Sequence, residues 1–266
     1  MILLFVCIAL FAIGGMISLL RIRRETESLR IAAKACTWSA VASGIALIVW
    51  HASGNHQWLP LDDNFEALIW LGLILALFVL YVQRRHPIAG LDWFIMPMVI
   101  LLLIGAAVFG RTTPHEYLRT SWSWVHRLFS YGGAVAFAIA GSVGAMYLVA
   151  NRRLRQKKMV GGAKLGSLER LEHVTLAAVT LGFALLTVGA ITGFAWLKYS
   201  ERHDPEHATV SPWKVGLTTS VWLIYALVLH SPINPRFRGR RVAILSIVGC
   251  VLMLGLIVTV QLVNRK

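Results

Sequence analysis

Eight long stretches of this 266-residue chain are almost free of Asp, Glu, Lys and Arg, and they restrict the chain to one structural class. An α-helix that crosses a bilayer needs about 20 mostly apolar residues. The stretches are Ile2–Leu20, Ala35–Asp62, Ala67–Gln83, Trp93–Gly110, Leu128–Asn151, Val174–Leu197, Val215–Pro235 and Val242–Asn264. We predict an all-α fold, a polytopic membrane helix bundle with eight transmembrane helices that forms a single integral membrane domain, residues 1–266.

The composition supports this class and excludes others. Hydrophobic residues make up 57% of the chain and charged residues 14%, whereas a soluble domain carries roughly 25% charged residues. A soluble enzyme, a disordered chain and a coiled coil are therefore excluded. The three cysteines form no CxxC pair, and the sequence contains no P-loop, dinucleotide fingerprint or HExxH motif.

The basic residues predict the orientation in the membrane. Eighteen of the 26 Lys and Arg residues fall in the loops after the first, third, fifth and seventh spans, and cytoplasmic loops carry such an excess. We expect both termini outside a bacterial cytoplasmic (inner) membrane. Topology then explains the net charge of +14 without a nucleic acid partner. We interpret the basic loop over residues 151–172 as a solvated loop that sets the topology, and contact with membrane lipid or a cytosolic protein is the alternative.

Two loop boundaries follow from turn-forming residues. Gly54, Asn55 and Pro60 predict that the second helix ends near Trp50. The stretch 201–211, which is rich in acidic residues and histidine, is expected to form a short polar outer loop.

Four histidines at the ends of spans are candidate ligands for a metal centre. His51 and His126 fall at the outer boundary, and His173 and His230 at the inner one. Neutral imidazole is an axial ligand of haem iron, so each pair could hold a haem. Alternatively, histidine is simply tolerated in the interfacial zone, where its polar tip reaches water. The residues alone leave both interpretations open.

Tryptophans and glycines add two weaker signals. Six of the ten tryptophans fall near the outer boundary, as in an aromatic belt, and a stacking platform for a flat macrocycle would have the same pattern. They are Trp50, Trp58, Trp122, Trp124, Trp196 and Trp213. We expect Trp122, Trp124, Trp196 and Trp213 to gather around His126. The spacing of Gly189 and Gly193 permits close approach of another helix.

From Trp58 to the C-terminus, the chain contains several distinctive motifs, among them LGFALLTVGAITGFAW and WLIYALVLH. These motifs resemble the cytochrome c assembly family, which includes CcsA, CcmC and HemX-like membrane proteins. The segment WLPLDDNFEALIWLGLILALFVLYV is similar to the family's loop and third span. LGFALLTVGAITGFAW, residues 181–196, is the most specific match. VHRLFSYGG places His126, and WLIYALVLH places His230, in the family's ligand positions.

The resemblance implies a protein that binds b-type, non-covalent haem during cytochrome c biogenesis. It would hold haem or pass it across the membrane, with a partner assembly protein and apocytochrome c as further partners. His126 and His230 would be axial iron ligands at opposite faces, too far apart to share one haem. Trp196 and Trp213 would contact the macrocycle. Depth in the membrane alone, without a family motif, makes His51 and His173 the second-ranked ligands, His51 with His126 and His173 with His230. No catalytic residue is implied, so the chain would be no enzyme, at most an accessory part of a haem-attachment system.

One departure from the family pattern keeps other functions open. The family's tryptophan-rich outer loop is replaced here by WLKYSERHDPEHATVSPWK, which retains only Trp196 and Trp213. This favours the shorter HemX-like branch, whose members are associated with control of glutamyl-tRNA reductase in tetrapyrrole biosynthesis. A membrane regulator of that enzyme is therefore an alternative function, and a small-molecule transporter without haem is a third.

Overall fold

The computed structural model is all-helical. It describes residues 2–23, 26–55, 61, 63–85, 87–110, 121–156, 166–203, 212–230 and 239–263, and this part of the chain forms eight helices and no strand. The helices are α1 (Ile2–Arg23), α2 (Glu27–Asn55), α3 (Asn64–Arg85), α4 (Leu91–Phe109), α5 (Ser121–Arg155), α6 (Leu168–His203), α7 (Pro212–Leu229) and α8 (Arg240–Val263). The predicted fold class and helix number are confirmed.

Membrane insertion follows from the length and hydropathy of these helices. Within the described residues, seven helices are long and apolar enough to cross a bilayer, and α7 contributes a shorter apolar stretch, Val215–Leu229. Water cannot satisfy backbone groups in the hydrocarbon layer, so a chain with this many apolar segments spans it as helices. The protein is an integral membrane protein.

Several helices run past the apolar stretches that predicted them. The second helix does not end near Trp50 but continues to Asn55, so that prediction was wrong. A glycine inside a helix costs only about 1 kcal/mol, and the five residues after Trp50 retain helical geometry despite Gly54. Similarly, α6 extends to His203, so residues 201–203 of the predicted outer loop are helical. Residues 204–211 of that loop lie outside the described residues.

The chain divides into two compact units, and the first comprises Met1–Thr112 with Ala145–Leu171. In this unit 1, α1 packs against α2 and α4, and α3 packs against the same two helices. Each of these four helices therefore packs against two of the others. The last part of α5 also belongs to this unit.

A buried carboxylate links three helices of unit 1. Asp92, in the first turn of α4, is 7% exposed. Its Oδ2 accepts a hydrogen bond from Ser18 Oγ at 3.2 Å and lies 3.5 Å from an Arg21 guanidinium nitrogen. Its Oδ1 accepts from Gln83 Nε2, near the end of α3. The polar partners offset the cost of removing this carboxylate from water.

The second unit comprises Thr113–Gly144 and Glu172–Lys266. It contains the first part of α5 with α6, α7 and α8. The Phe137 ring of α5 stacks on the Tyr225 ring of α7, with centroids 3.6 Å apart. Tyr225 also donates a hydrogen bond to the Ser246 carbonyl of α8 at 3.3 Å. These two aromatic side chains connect three of the four helices in the core of unit 2.

Candidate functional site

His126 lies in the second turn of α5, against α6. Its Nδ1 is 2.7 Å from the carbonyl oxygen of Gly189 and 3.4 Å from Ser130 Oγ, one turn further along α5. The imidazole is partly buried. Two consecutive helices of unit 2 therefore fix the ring.

Two glycines one turn apart on α6 make room for this contact. A methyl group at Gly193 would come within 2.7 Å of Cε1 and Nδ1 of His126, and one at Gly189 would come within 2.8 Å of Ser130 Oγ. Further along, a methyl group at Gly133 would come within 3.3 Å of the α6 backbone at Gly182 and Leu186. The Gly189-x-x-x-Gly193 spacing thus permits close packing of α5 and α6, as the sequence predicts.

The hydrogen bond sets the chemical state of His126. A carbonyl oxygen can only accept, so Nδ1 carries a proton and donates it to Gly189. In the neutral ring, Nε2 then holds the lone pair that binds a metal. Histidines that bind metal almost always donate their other ring N–H to a carbonyl, carboxylate or water. The arrangement therefore fits an axial ligand of haem iron through Nε2.

His230 shows the same pattern at the end of α7. Its Nδ1 donates to the carbonyl of Ala226 at 2.8 Å, and its backbone N–H donates to the carbonyl of Leu227 at 3.2 Å. The side chain is exposed. Its Nε2 is therefore presented at the surface of unit 2, at the C-terminus of a helix.

The two histidines lie far apart along the helix axes. The pairings of α5 with α6 and of α6 with α7 make α5 and α7 run in the same direction, and Phe137 and Tyr225 lie at the same level. His126 precedes Phe137 by eleven residues and His230 follows Tyr225 by five. At 1.5 Å per residue, this is a separation of about 24 Å. Axial nitrogens on one iron are about 4 Å apart, so one haem cannot bridge them.

His173 lies at the same end of unit 2 as His230, in the second turn of α6, and is exposed. The carboxylate of the neighbouring residue, Glu172, accepts a hydrogen bond from the backbone N–H of Gly239 at 3.1 Å. Gly239 has a positive φ of 64°, which glycine adopts without strain. This contact joins the starts of α6 and α8.

His51 belongs to unit 1 and has an acidic partner. Its Nε2 donates to Asp63 Oδ2 at 2.6 Å, and its ring lies 5.0 Å from that of Phe65, centroid to centroid. Asp63 Oδ1 accepts from the backbone N–H of Glu66 at 2.6 Å. His51 is thus held between the end of α2 and the start of α3, by residues that the histidine pattern did not indicate.

The tryptophans differ in exposure. Trp196, one turn beyond Gly193 on α6, and Trp213, at the start of α7, are partly buried. Trp122 and Trp124 are 49% and 40% exposed, as expected for side chains of an aromatic belt. The predicted gathering of these four around His126 stays a prediction.

A fifth tryptophan, which sequence reasoning did not select, lies between α6 and α7. Trp222 Nε1 donates to Thr187 Oγ1 at 3.0 Å, and its ring lies 5.1 Å from that of Phe183. Both α6 residues belong to the motif at residues 181–196, so the motif itself was the signal. Its polar and aromatic positions serve the packing of unit 2.

Comparison with known proteins identifies the family. The sequence pattern of the family described as "Cytochrome C assembly protein" matches residues 3–264. The chain belongs to the cytochrome c assembly protein family. The match begins well before Trp58, so the family pattern includes the first two helices.

Relatives within the family carry biogenesis names. The cytochrome c biogenesis protein CcsA of Prochlorococcus marinus (strain MIT 9301) is 25% identical over 240 residues, covering 78% of this chain and 74% of its own. CcsA of Synechococcus sp. (strain CC9605) is 24% identical, with 78% and 75% covered. CcsA of Mesostigma viride is 23% identical, with 73% and 71% covered.

A solved structure shares the fold. It is named "Cytochrome c Heme Lyase CcmF" and superposes with a TM-score of 0.64 at 17% identity. The alignment covers 99% of this chain but 48% of that one, so the present chain spans about half the length of its structural neighbour. The likeness supports the helical architecture over nearly the whole chain.

Proposed function

We propose that this protein binds b-type haem non-covalently in the bacterial cytoplasmic membrane and holds it, or passes it outward, for attachment to apocytochrome c. The observation that carries the proposal is the hydrogen bond from His126 Nδ1 to the Gly189 carbonyl. This hydrogen bond leaves the lone pair on Nε2 available to bind iron, and His126 itself belongs to a family motif. Gly193 leaves the space that the ring occupies.

His230 is the second proposed axial ligand, for a separate haem. It lies about 24 Å from His126 along the helix direction, which suits an entry site and an exit site for haem on opposite faces of the bilayer. The two irons would share no ligand, so each would take its second axial ligand from a separate group. We place Trp196 and Trp213, at the His126 end of unit 2, against the macrocycle there.

Haem supplies the porphyrin that becomes bound to apocytochrome c, so it is cargo for this protein. The structural neighbour is named a heme lyase, but we assign thioether formation to a partner assembly protein and haem holding to this chain. The biogenesis names of the relatives favour assembly over the regulation of tetrapyrrole synthesis.

The test is the absorption spectrum of the full-length protein purified in detergent, before and after dithionite. We expect a Soret band and sharp α and β bands on reduction. His126→Ala and His230→Ala should each lower the haem content, and added imidazole should partly restore the lost spectrum. The matched control is Trp222→Phe, a partly buried aromatic substitution in unit 2 that leaves both histidines in place.

A wild-type protein without a Soret band would overturn the proposal and favour a transporter that does not use haem. Unchanged haem content and spectrum in both histidine variants would overturn the ligand assignment.

A further inference from the structure

Unit 1 contains a cluster of three side chains with metal-binding groups, apart from the proposed haem ligands of unit 2. His51 comes from the last turns of α2, and Asp63 and Glu66 come from the start of α3. One ligand atom from each, a ring nitrogen and two carboxylate oxygens, lies within 4.8 Å of the others. The end of α2 and the start of α3, which a loop separates in the sequence, therefore bring their side chains together at one point.

Burial distinguishes this cluster from ordinary surface acids. Asp63 is 6% exposed and Glu66 is 5% exposed, and His51 is partly buried. With a neutral imidazole, the three groups carry a formal charge of −2. Buried carboxylates need polar or charged partners, and a divalent cation would be a partner that all three groups can share.

Helix capping explains only part of the arrangement. Asp63 precedes α3 and Glu66 is three residues later, as in a capping box, and Asp63 Oδ1 accepts the Glu66 backbone N–H. That role occupies one oxygen of Asp63. Capping requires neither the imidazole from α2 nor the contact of Asp63 Oδ2 with His51 Nε2.

A neighbouring buried donor provides a second, separate observation. Within the described part of the chain, the side-chain nitrogen Nδ2 of Asn64 is buried and has no hydrogen-bond partner. Buried polar atoms are nearly always paired, so an unpaired one calls for an explanation. Asn64 directly follows Asp63 in the chain, and a water on a metal ion would be a suitable acceptor.

We propose that His51, Asp63 and Glu66 bind a divalent cation of the zinc class. Carboxylates are hard ligands, and imidazole is a borderline ligand that suits zinc. Three protein ligands with an open fourth position are typical of non-structural zinc sites. Bond lengths near 2.0–2.2 Å in a tetrahedral site place two ligand atoms roughly 3.3 Å apart. His51 Nε2 and Asp63 Oδ2, now 2.6 Å apart, would separate by less than 1 Å.

The experiment uses the full-length protein in detergent, with any affinity tag removed and metals stripped by a chelator. Zn²⁺ is titrated against a chromophoric competitor, and Co²⁺ reports the coordination geometry through its visible spectrum. We expect one Zn²⁺ per chain. Asp63→Ser and Glu66→Gln should each weaken Zn²⁺ binding at least tenfold, a loss typical of damaged metal sites.

These two substitutions separate metal binding from capping. Serine remains a good N-cap residue, and glutamine serves as well as glutamate at the third position of a capping box. Both variants should therefore unfold at nearly the wild-type temperature. Glu27→Gln, which changes an exposed acid in the first turn of α2, is the matched control and should retain Zn²⁺ affinity.

A wild-type protein that binds no Zn²⁺ would overturn the proposal, and so would variants of Asp63 and Glu66 that bind it as tightly as the wild type. The outcome is independent of the haem proposal, because Asp63→Ser and Glu66→Gln should leave haem content unchanged. Loss of haem in these variants with unaltered Zn²⁺ affinity would likewise count against a cation site here.

Discussion

A single backbone oxygen, that of Gly189, accepts two side-chain hydrogen bonds at the proposed haem site. His126 Nδ1 donates to it at 2.7 Å, and Thr192 Oγ1, which also donates to the Val188 carbonyl at 2.8 Å, shares its proton with it at 3.1 Å. The sequence singled out His126 from its motif and Gly189 from its spacing, but not the bond between them. Predicting that bond requires the register of α5 against α6, which no local pattern specifies.

Gly193→Ala should disturb the proposed haem without removing a ligand. The added methyl group would come within 2.7 Å of the His126 ring, so the ring must move and its bond to Gly189 must lengthen. We expect a shifted Soret band and a 10- to 100-fold loss of haem affinity, as for other outer-shell changes. Haem titration followed by absorption and resonance Raman spectra measures both.

Gly216→Ala is the control for that variant, because nothing lies within 4 Å of a methyl group at this position of α7. Its spectrum should match the wild type. An unaltered spectrum in Gly193→Ala as well would mean that His126 does not contact the haem.

The effects of His126→Ala and His230→Ala should be additive. Sites more than about 10 Å apart with no shared partner behave independently, and these two are about 24 Å apart along the helices. The double variant should lose the sum of the haem lost in the single variants, as measured by pyridine haemochrome assay. Complete loss in either single variant would contradict two independent haem sites.

At the scale of elements, helix number followed directly from the charge-free stretches, whereas helix ends did not. The polar ends of α5 and α6 carry charged residues, so hydropathy stops before the helix does. Asp92 illustrates the limit. It lies just before the apolar stretch that begins at Trp93, so in the sequence it is only a charged residue at the end of a span. In the fold it belongs to the first turn of α4 and is buried between two other helices.

Asp92→Ala should therefore destabilise unit 1. The substitution removes the acceptor for Ser18 and Gln83 and leaves Arg21, whose side chain is 16% exposed, without this carboxylate. Breaking a buried pair on one side costs about 3–5 kcal/mol, and we expect about 3 kcal/mol because Arg21 lies at a helix end. Unfolding in detergent, followed by circular dichroism, measures the loss.

The matched control is Arg30→Ala, which breaks the exposed Glu27–Arg30 pair of α2. Exposed pairs contribute less than about 1 kcal/mol, so this variant should unfold close to the wild type. Equal destabilisation by both substitutions would show that Asp92 has no special structural role.

Close packing of α5 on α8 depends on small residues. A methyl group at Gly144 would come within 2.9 Å of the Ala243 carbonyl oxygen, and backbone cannot yield as a side chain does. Gly144→Ala should cost about 1–3 kcal/mol, as other overpacked positions do. Gly54→Ala, with open space around it, should instead be neutral or slightly stabilising, since alanine is the better helix former. Thermal unfolding of both variants checks the contrast.

At the scale of the whole molecule, the all-α membrane fold class and the order of its helices could be predicted from the composition, because the bilayer fixes the length of each apolar segment. The division into two units could not, because it depends on which helices pack together. The family match over residues 3–264 shows that the sequence similarity covers nearly the whole chain, although the first 57 residues carry no motif recognised from the sequence.

The orientation remains a prediction that a fusion experiment can decide. Eighteen of the 26 basic residues lie in alternate loops, so those loops should stay in the cytoplasm. A reporter active only in the cytoplasm should be silent when fused after Lys266 and active when inserted between residues 157 and 165. The reverse result would exchange the two faces and place His230 on the outside.

The assignment of α5 to both units bears on how the protein can be made. Unit 1 consists of Met1–Thr112 and Ala145–Leu171, with a segment of unit 2 between them. A ribosome must therefore release the first helix of unit 2 before it completes unit 1, and the two parts mature in overlapping order. For the same reason, no single break in the gene yields two polypeptides that each contain one complete unit. In any protein split into two chains, at least one unit must be assembled from segments of both chains.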